Sequence, residues 1–418
     1  MGVRARLRAV CVVANPRNSQ AIAVVCASQP IPNRSPHTFI RDHEHVLSAQ
    51  STPLYCWVLF FHPRPGMKIF LGYRQTGLAP ACALTIGNFD GVHRGHQAML
   101  GLLRAEAAQR GLPSCAVTFE PHPRDYFAKV LGKPELAPAR VGTLRDKLAQ
   151  LRVCGLDQVV ILPFNHALAS LSPQAFIDEV LLGGLGARYV LVGDDFRFGA
   201  QRAGDYELLD RIGQAQGFEV ARMNSYEVHG VRVSSTEVRA ALAAGDMAGA
   251  ERLLGRPYTI SGHVVHGRKL GRKLAESAPG LGDGFRTLNL RFDHWKPAAS
   301  GIFAVLVHGL TDQPLPGVAN LGIRPSLDPN DVNGGRVLLE THCLDWPPHL
   351  GGDGGYGKII RVELLHKLHD ELKYDSLDAL TRGIAQDCLD ARAFFAAQRS
   401  GNDVAPAQTQ RQTTRDRI

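Results

Sequence analysis

Two histidines in the first half of the chain have the type and spacing to bind phosphate. His93 and His96 lie in the run G-N-F-D-G-V-H-R-G-H, residues 87–96. This run directly follows an apolar segment typical of a buried strand and leads into a helical sequence. The N–H groups and the dipole at a helix N-terminus favour anions, and Gly95 lets a phosphate approach the backbone. The run therefore indicates attack on the α-phosphate of a nucleoside triphosphate, promoted by positioning and by charge stabilisation.

Two other interpretations of this loop stay open at this point. The histidines could be ordinary surface side chains, or they could bind a metal as a pair. Two histidines without nearby cysteine or acidic ligands are weak grounds for a zinc site. The glycines at the start and in the middle of the run, together with its place after a strand, favour the phosphate interpretation.

A second polar group, V-S-S-T-E-V-R at residues 233–239, is expected to open a helix. Hydroxyls at a helix start with an arginine one turn later could form a second phosphate cradle. Taken alone, however, the sequence is better explained as a helix cap at Ser235, without the acid of a capping box.

Alternating strands and helices must position these groups. The pattern from Ala81 predicts a doubly wound parallel sheet, in which ligands bind beyond the carboxyl ends of the strands. Thr143 and Asp146 could form a capping box, and Ser172-Pro173 is typical of a helix start. The predicted strands cover 82–86, 114–119, 159–162, 189–192 and 218–222; the predicted helices cover 97–110, 143–152, a segment from 172, and 205–216.

After about Pro257 the pattern changes to β-like runs separated by turn-forming residues. These runs predict a small antiparallel barrel closed by a helix over residues 377–397. The runs cover 258–265, 287–292, 301–307, 337–343 and 359–364.

Four motifs, in this order, resemble the bacterial bifunctional riboflavin kinase/FAD synthetase family. They are G-N-F-D-G-V-H-R-G-H, T-F-E-P-H-P (118–123), V-G-D-D-F-R-F-G (192–199) and S-S-T-x-x-R (234–239). The resemblance covers about residues 81–397. It implies an α/β fold: an N-terminal Rossmann-like nucleotidyltransferase domain, then a small antiparallel β-barrel riboflavin kinase domain with a C-terminal helix. The implied activity is phosphorylation of riboflavin to FMN with ATP, then transfer of AMP from ATP to FMN, giving FAD and pyrophosphate.

The resemblance also assigns roles to residues of the first domain. His93 and His96 are expected to act on the ATP phosphates, and Asp195 and Phe198 to border the flavin or Mg²⁺ site. The segment from Phe119 to Pro123 either contacts the ligand or only shapes its pocket. The other residues expected to bind ATP are Gly87, Asn88, Phe89, Asp90, Gly95, Ser234, Ser235, Thr236 and Arg239.

In the second domain the family's nucleotide loop is G-R-x-L-G-F-P-T-x-N-L. By resemblance, Gly267 binds ATP, Thr287 and Asn289 bind ATP and Mg²⁺, and Glu340 is the general base that takes the proton of the ribityl 5′-hydroxyl. This chain departs from the family's pattern in two ways: residues 275–283 are inserted, and Arg286 stands where proline is expected. Proline fixes φ, so arginine frees that turn.

Composition excludes several other classes of protein. Residues 1–66 carry seven Arg and two acids, a charge of +5, so +3 of the total +8 remains for residues 67–418. A nucleic-acid surface needs local charge density, so we expect no nucleic-acid partner. No apolar run reaches the roughly 18 residues of a membrane span, so we expect no membrane partner. None of the eight cysteines form a C-x-x-C pair, and scattered thiols fit a reducing, cytoplasmic location.

The expected organisation has four parts. Residues 1–66 show no sustained helical or strand period and are expected to be an extension outside the fold. The alternative is a targeting segment, because Arg4, Arg6 and Arg8 precede any acidic residue. Residues 67–256 form the adenylyltransferase domain and 257–398 the kinase domain. Residues 399–418 are expected to be a disordered tail.

Three functional hypotheses follow. The first is the bifunctional enzyme, with riboflavin, FMN and ATP as small-molecule substrates. The second is an FAD synthetase with an impaired kinase module, because of Arg286 and the insertion. The third is a flavin- or RNA-binding protein without turnover, which the intact H-x-G-H and S-S-T-x-x-R motifs disfavour.

Overall fold

The computed structural model describes residues 66–228, 231–266, 287–292, 296–324 and 336–400. The chain divides into the units Met1–Trp57 and Val58–Ile418, and every described residue lies in the second unit. The expectations for residues 1–65 and 401–418 concern residues outside this part of the chain.

The first described module is a parallel sheet of six strands in the order β1-β4-β3-β2-β5-β6. The central pairing of β2 with β3 runs from Ala83↔Ser114 to Ile86↔Val117. Connections from β2 and β5 lead to opposite sides of the sheet, which places a crevice between the carboxyl ends of these two strands. The strands are β1 (Lys68–Leu71), β2 (Cys82–Ile86), β3 (Ser114–Glu120), β4 (Gln158–Pro163), β5 (Ala187–Gly193) and β6 (Glu219–Met223).

Helices cover both faces of this sheet. Side chains alternate between the faces, because successive residues of a strand point in opposite directions. Leu84 and Val117 belong to one buried cluster, whereas Ala83 and Ala116 belong to the other. The helices are α1 (Arg94–Gln109), α2 (Pro123–Val130), α3 (Leu144–Val153), α4 (His166–Ala169), α5 (Pro173–Ala175) followed by a π-helix (Phe176–Leu182), α6 (Tyr206–Gln216), α7 (Ser235–Ala244) and α8 (Met247–Leu254).

The second module is a closed antiparallel barrel in the order β10-β13-β12-β11-β14-β9. Phe303 and Val305 point into its core, whereas Ala304 between them faces the C-terminal helix α9 (Leu377–Arg399). Each fully buried large apolar side chain contributes roughly 1.5–3 kcal/mol. The strands are β9 (Tyr258–Val265), β10 (Leu288–Arg291), β11 (Gly301–His308), β12 (Leu315–Arg324), β13 (Arg336–Cys343) and β14 (Ile359–His369), after a short hairpin of β7 (Glu227–Val228) and β8 (Val231–Arg232).

The predicted fold class is confirmed: a parallel-sheet nucleotidyltransferase-like module precedes an antiparallel barrel with a C-terminal helix. The capping box of Thr143 and Asp146 and the start of a helix after Ser172 are also confirmed. The prediction that Ser235 caps α7 is wrong. Ser234 is the cap and accepts from the Glu237 N–H, so Glu237 occupies the capping-box position that seemed to lack an acid.

Candidate active sites

The loop after β2 has an unusual backbone that turns it sharply towards α1. Phe89, Gly91 and Val92 have φ angles of 48°, 82° and 41°, all in the left-handed region. Such a conformation is costly for a β-branched residue such as valine, and it persists only where surrounding contacts enforce it. Phe89 and Val92 are each only 1% exposed, so the core holds the strained turn in place.

His93 and His96 meet at the N-terminus of α1, as the sequence predicts. His93 is the N-cap, and its Nδ1 accepts from the His96 N–H at 3.3 Å. The imidazoles stack with centroids 3.6 Å apart. A Cβ on Gly95 would lie 3.2 Å from the His93 ring and from the Val233 carbonyl, so glycine permits this close approach. Because it accepts from the His96 N–H, His93 Nδ1 is already occupied within the protein. His96 Nδ1 has no hydrogen-bond partner among the described residues.

Burial and neighbouring cations keep both imidazoles neutral. Burial, followed by the charges of Arg256 and Arg239, lowers the pKa of His93 from 6.5 to about 4. Burial, followed by His93 and Lys147, lowers the pKa of His96 well below 6.5. A neutral imidazole can still donate one hydrogen bond to a phosphate oxygen, and a bound anion favours its protonated form.

Asp90 joins this loop to α7. Its Oδ2 accepts from Arg239 Nη1 at 2.8 Å, and its carbonyl accepts from Ser235 Oγ at 2.9 Å. The structure therefore brings the two sequence motifs together, although they are far apart along the chain. The Ser234 and Ser235 hydroxyls are engaged within the protein, whereas Thr236 is exposed. At the other end of the loop, Asn88 is exposed and its carbonyl accepts from Thr118 Oγ1 at 3.3 Å.

A buried charged cluster beneath the loop was missed by the sequence analysis. Arg140 lies 2.8 Å from Asp125 and 3.5 Å from Glu120. Lys147 donates to Thr118 Oγ1 at 3.3 Å. Burial, followed by the charge of Arg140, lowers the pKa of Lys147 to about 8, while the carboxylates of the cluster oppose that shift. The cluster balances the acids Asp90, Asp125 and Glu120 against the cations Arg140, Lys147 and Arg239.

One signal for Lys147 was present in the sequence. It lies on the same helical face as Leu144, Leu148 and Leu151, where an amphipathic helix normally carries apolar residues. A charged residue in an apolar stripe is buried with a partner or serves a site. Arg140 offers no comparable signal, because the segment around it has no helical or strand period.

Asp195 and Phe198 follow β5 but have different surroundings. The Asp195 side chain is 84% exposed and lies 3.8 Å from Arg232. Phe198 is 7% exposed and packs in the core, with its ring stacked at 5.4 Å on Phe196. The structure thus places Asp195 at the carboxyl end of β5 and Phe198 among the core aromatics behind it.

A cluster of aromatic rings lies beside the end of β3, after the T-F-E-P-H-P motif. Phe164 contacts Phe119 at 5.7 Å, Tyr126 at 5.4 Å and Phe127 at 5.8 Å between ring centroids. Phe127 is 46% exposed, although large apolar side chains are usually buried. This exposed face could stack on a planar ring.

In the barrel, Glu340 lies in a row of polar residues across three strands. Its Cα partners are Asn289 on β10 and Asn320 on β12. Asn289 is 2% exposed and donates to the Thr287 carbonyl at 3.2 Å. Among the described residues, the Oδ1 atoms of Asn289 and Asn320 are buried without a hydrogen-bond partner. Buried amide oxygens without a partner are costly, so these two oxygens, on the strands either side of Glu340, are candidates to contact a ligand.

These oxygens fit a hard cation. Mg²⁺ prefers oxygen ligands, which the Asn289 amide and the Thr287 hydroxyl provide. No group of three or more His, Cys, Asp or Glu in the described part of the chain could hold a metal ion by itself. Gly267, the insertion 275–283 and Arg286 lie outside the described residues.

No helix in the described residues is both long and apolar enough to cross a membrane.

Comparison with known proteins assigns each module to a family. Residues 75–237 match the family model described as FAD synthetase, and residues 254–395 match the one described as riboflavin kinase. The matches cover the H-x-G-H loop and the start of α7 in one module and the row around Glu340 in the other.

Whole-chain relatives agree with these matches. The chain is 44% identical over 331 residues to the bifunctional riboflavin kinase/FMN adenylyltransferase of Escherichia coli strain K12, covering 79% of this chain and 98% of that protein. It is also 44% identical to the enzyme of the same name from Pseudomonas fluorescens, covering 75% and 93%. A solved structure described as a macrolide-efflux protein from Streptococcus pneumoniae superposes with a TM-score of 0.58 and 25% identity, over 78% of this chain and 99% of that one.

Proposed function

Because the chain belongs to the family of bifunctional riboflavin kinase/FMN adenylyltransferases, we propose that its two sites act in sequence, making FMN in the barrel and FAD at the sheet. The observation that carries the sheet site is the contact of Asp90 with Ser235 and Arg239, which joins the two phosphate-binding motifs. The observation that carries the barrel site is the row of Asn289, Glu340 and Asn320.

In adenylyl transfer, an FMN phosphate oxygen attacks the α-phosphorus of ATP, the bond to the β-phosphate breaks, and pyrophosphate leaves. The nucleophile is already ionised, since the second pKa of a phosphate monoester is near 6. The protein's task is therefore to hold two anions together. His93 and His96 line the N-terminus of α1, where free N–H groups stabilise the charge of the transferring phosphoryl group.

Cations and the second helix complete the phosphate site. Arg239 acts on His93 and Lys147 on His96, so both cations would favour bound phosphates, although the acids of the cluster balance their charge before ATP and FMN bind. Ser234 Oγ accepts from the Glu237 N–H and retains its own O–H to donate, so the Ser234 and Thr236 hydroxyls and the N–H groups at the start of α7 would contact the β- and γ-phosphates. Ser235, which donates to the Asp90 carbonyl, and Arg239 would complete this cradle. Gly87, Asn88, Phe89 and Gly95 shape the loop around ATP.

The flavin would occupy the carboxyl edge of the sheet. Phe127 offers an exposed aromatic face for the isoalloxazine ring. Asp195 lies on the other side of the crevice, near Arg232. Phe198 would support this edge from the core.

In the kinase reaction the ribityl 5′-hydroxyl attacks the γ-phosphorus of ATP and ADP leaves. A hydroxyl must lose its proton, so Glu340 acts as the general base that accepts it. Thr287 and Asn289 would hold Mg²⁺, with Gly267 in the loop that binds ATP. The cation neutralises charge that develops on the phosphates. We further propose a cytoplasmic location, where ATP and riboflavin are available, and no nucleic-acid or membrane partner.

The test is incubation with ATP, Mg²⁺ and either riboflavin or FMN, followed by chromatographic separation of the flavins. His96→Ala should abolish FAD formation from FMN and spare riboflavin phosphorylation. Glu340→Gln should do the reverse, because glutamine keeps the shape and loses the base. Failure of the unmodified protein to make FMN would favour an FAD synthetase with an impaired kinase. Equal loss of both activities in a folded single variant would refute the separation of the sites.

A further inference from the structure

Residues 139–143, here called the strap, connect the barrel to the adenylylation site. The Arg140 N–H donates to the Lys296 carbonyl at 3.2 Å, and the Ala298 N–H donates to the Arg140 carbonyl at 3.2 Å. These bonds form a short parallel bridge between Arg140 and Pro297. Val141 belongs to the buried core that the barrel residues share. The backbone of the strap is therefore fixed by the barrel, although the strap belongs to the sheet module by sequence.

The side chain of Arg140 extends the other way, into the carboxylates beneath the H-x-G-H loop. It is 3% exposed and lies 2.8 Å from Asp125, 3.5 Å from Glu120 and 3.9 Å from Asp90. One residue thus contacts the barrel through its backbone and the transfer site through its guanidinium.

Asp90 is the point where the strap meets the loop. Its Oδ1 accepts from the Val141 N–H at 3.1 Å and faces Arg140 Nε, whereas its Oδ2 accepts from Arg239. A Cβ on Gly91 would lie only 2.7 Å from Val141 Cγ1, so the strap also packs directly on the loop backbone. Any shift of the strap would move Asp90, and with it the turn that presents His93.

A guanidinium suits this cluster better than a point charge does. Each of the three guanidinium nitrogens of Arg140 faces a different carboxylate: Nη1 donates a hydrogen bond to Asp125, whereas Nε and Nη2 lie at ion-pair distance from Asp90 and Glu120. A lysine is a point charge that can satisfy fewer of them. In a buried cluster the acids left without a partner then reorient, because an unpaired buried charge is unfavourable.

We propose that Arg140 is a positioning residue for adenylyl transfer, through which the barrel holds Asp90 and the H-x-G-H loop in their reactive arrangement. The role rests on the proposed function, since it acts on the site assigned to FMN adenylylation. Arg140 acts through Asp90 and does not itself touch a substrate. The barrel then contributes to FAD formation as the support of the strap, in addition to its own reaction.

The test compares Arg140→Lys with the unmodified full-length protein. We expect kcat for FAD formation from FMN to fall roughly 10- to 100-fold, because a displaced reactive group of this kind loses that much. The KM values for ATP and FMN should change less, and riboflavin phosphorylation should stay within about two-fold. Arg104→Lys is the matched control, because Arg104 joins α1 to the Cys154 carbonyl at 3.1 Å away from the cluster. This control should retain both activities.

A double variant separates positioning from general loss of structure. In an Asp90→Asn background, Arg140→Lys should cause little further loss of kcat, because the two residues act in one chain of contacts. If Arg140→Lys lowers kcat in the Asp90→Asn background as much as it does in the parent, the proposal is overturned. Unchanged adenylylation in the single variant, or equal loss of both activities, would also overturn it. If Arg140→Lys does not fold, Asp125→Asn is measured instead, because it removes one carboxylate from the guanidinium. An unchanged kcat for FAD formation in that variant would refute the positioning role of Arg140. No FAD formation by the unmodified protein would refute the proposed function instead.

Discussion

Replacing His93 by asparagine separates its capping role from its titration. Asparagine is a good N-cap residue and can accept the hydrogen bond that His93 Nδ1 accepts from the His96 N–H. The variant should therefore remain folded at pH 7. The pKa of His93 is 6.5 in the unfolded chain and about 4 in the folded protein, mainly because of burial. As pH falls below 6.5 the unfolded state takes up a proton that the folded state refuses, so stability is lost down to about pH 4.

The size of that loss follows from the pKa difference. It is about 2 kcal/mol at pH 5 and about 3 kcal/mol at pH 4. Between pH 7 and pH 4, the free energy of unfolding should therefore fall by about 3 kcal/mol less in His93→Asn than in the parent. The stability of the variant will still decrease as the pH falls, because burial also lowers the pKa of His122 to about 3. Since the variant lacks the imidazole, FAD formation should fall even where stability improves.

Urea unfolding of both proteins at several pH values, followed by fluorescence, measures the difference. His349→Asn is the matched control, because His349 is exposed at the barrel surface and should keep the parent's acid profile. Parallel profiles for His93→Asn and the parent would refute the burial argument. So would a variant whose stability falls more steeply in acid than that of the parent.

Three further predictions concern the N-terminal extension, the buried Lys147 and the kinase loop. A protein that begins at Met67 should keep both activities within about two-fold, because the sequence of residues 1–66 has no sustained apolar period; loss of activity would place part of that extension in the fold. The kcat/KM of FMN adenylylation should fall as pH rises through about 8, where Lys147 loses its charge. In Lys147→Arg the fall should occur at a higher pH. If the variant loses activity at the same pH as the parent, Lys147 is not the group that titrates. Deleting 275–283 together with Arg286→Pro should raise kinase kcat or leave it unchanged, because Thr287 and Asn289 must be placed closely for catalysis; a much slower kinase would make the insertion an adapted part of the site.

Much of the fold could be predicted because its signals are local. The strand over Cys82–Ile86 and the strand over Tyr258–Val265 have the predicted bounds, since each is a bounded run of apolar or alternating residues. Strand β12 was not predicted as a strand, because its glycine, proline and asparagine residues are typical of turns. Its pairing on both sides with β11 and β13 overrides that preference.

The motif residues could be found from sequence, but their partners could not. Ser235 and Asp90 are far apart along the chain, and no spacing rule relates them. The strap illustrates the same limit more strongly, because Arg140 has no periodic neighbours and contacts residues of both modules. The sequence analysis does not single out Asn320, and only the barrel register shows that it lies opposite Glu340.

The two sites also differ in where they need a carboxylate, and the difference follows from their nucleophiles. An FMN phosphate is already ionised, so a general base would add only repulsion at the sheet site. There each acid of the buried cluster faces an arginine: Asp90 faces Arg239, and Asp125 and Glu120 face Arg140. A ribityl hydroxyl is neutral and must lose a proton, which is the role proposed for Glu340, whose Cα partners are Asn289 and Asn320. A general base is therefore expected only where the nucleophile is uncharged, and the acids at the sheet site are expected to serve the structure of the cluster instead.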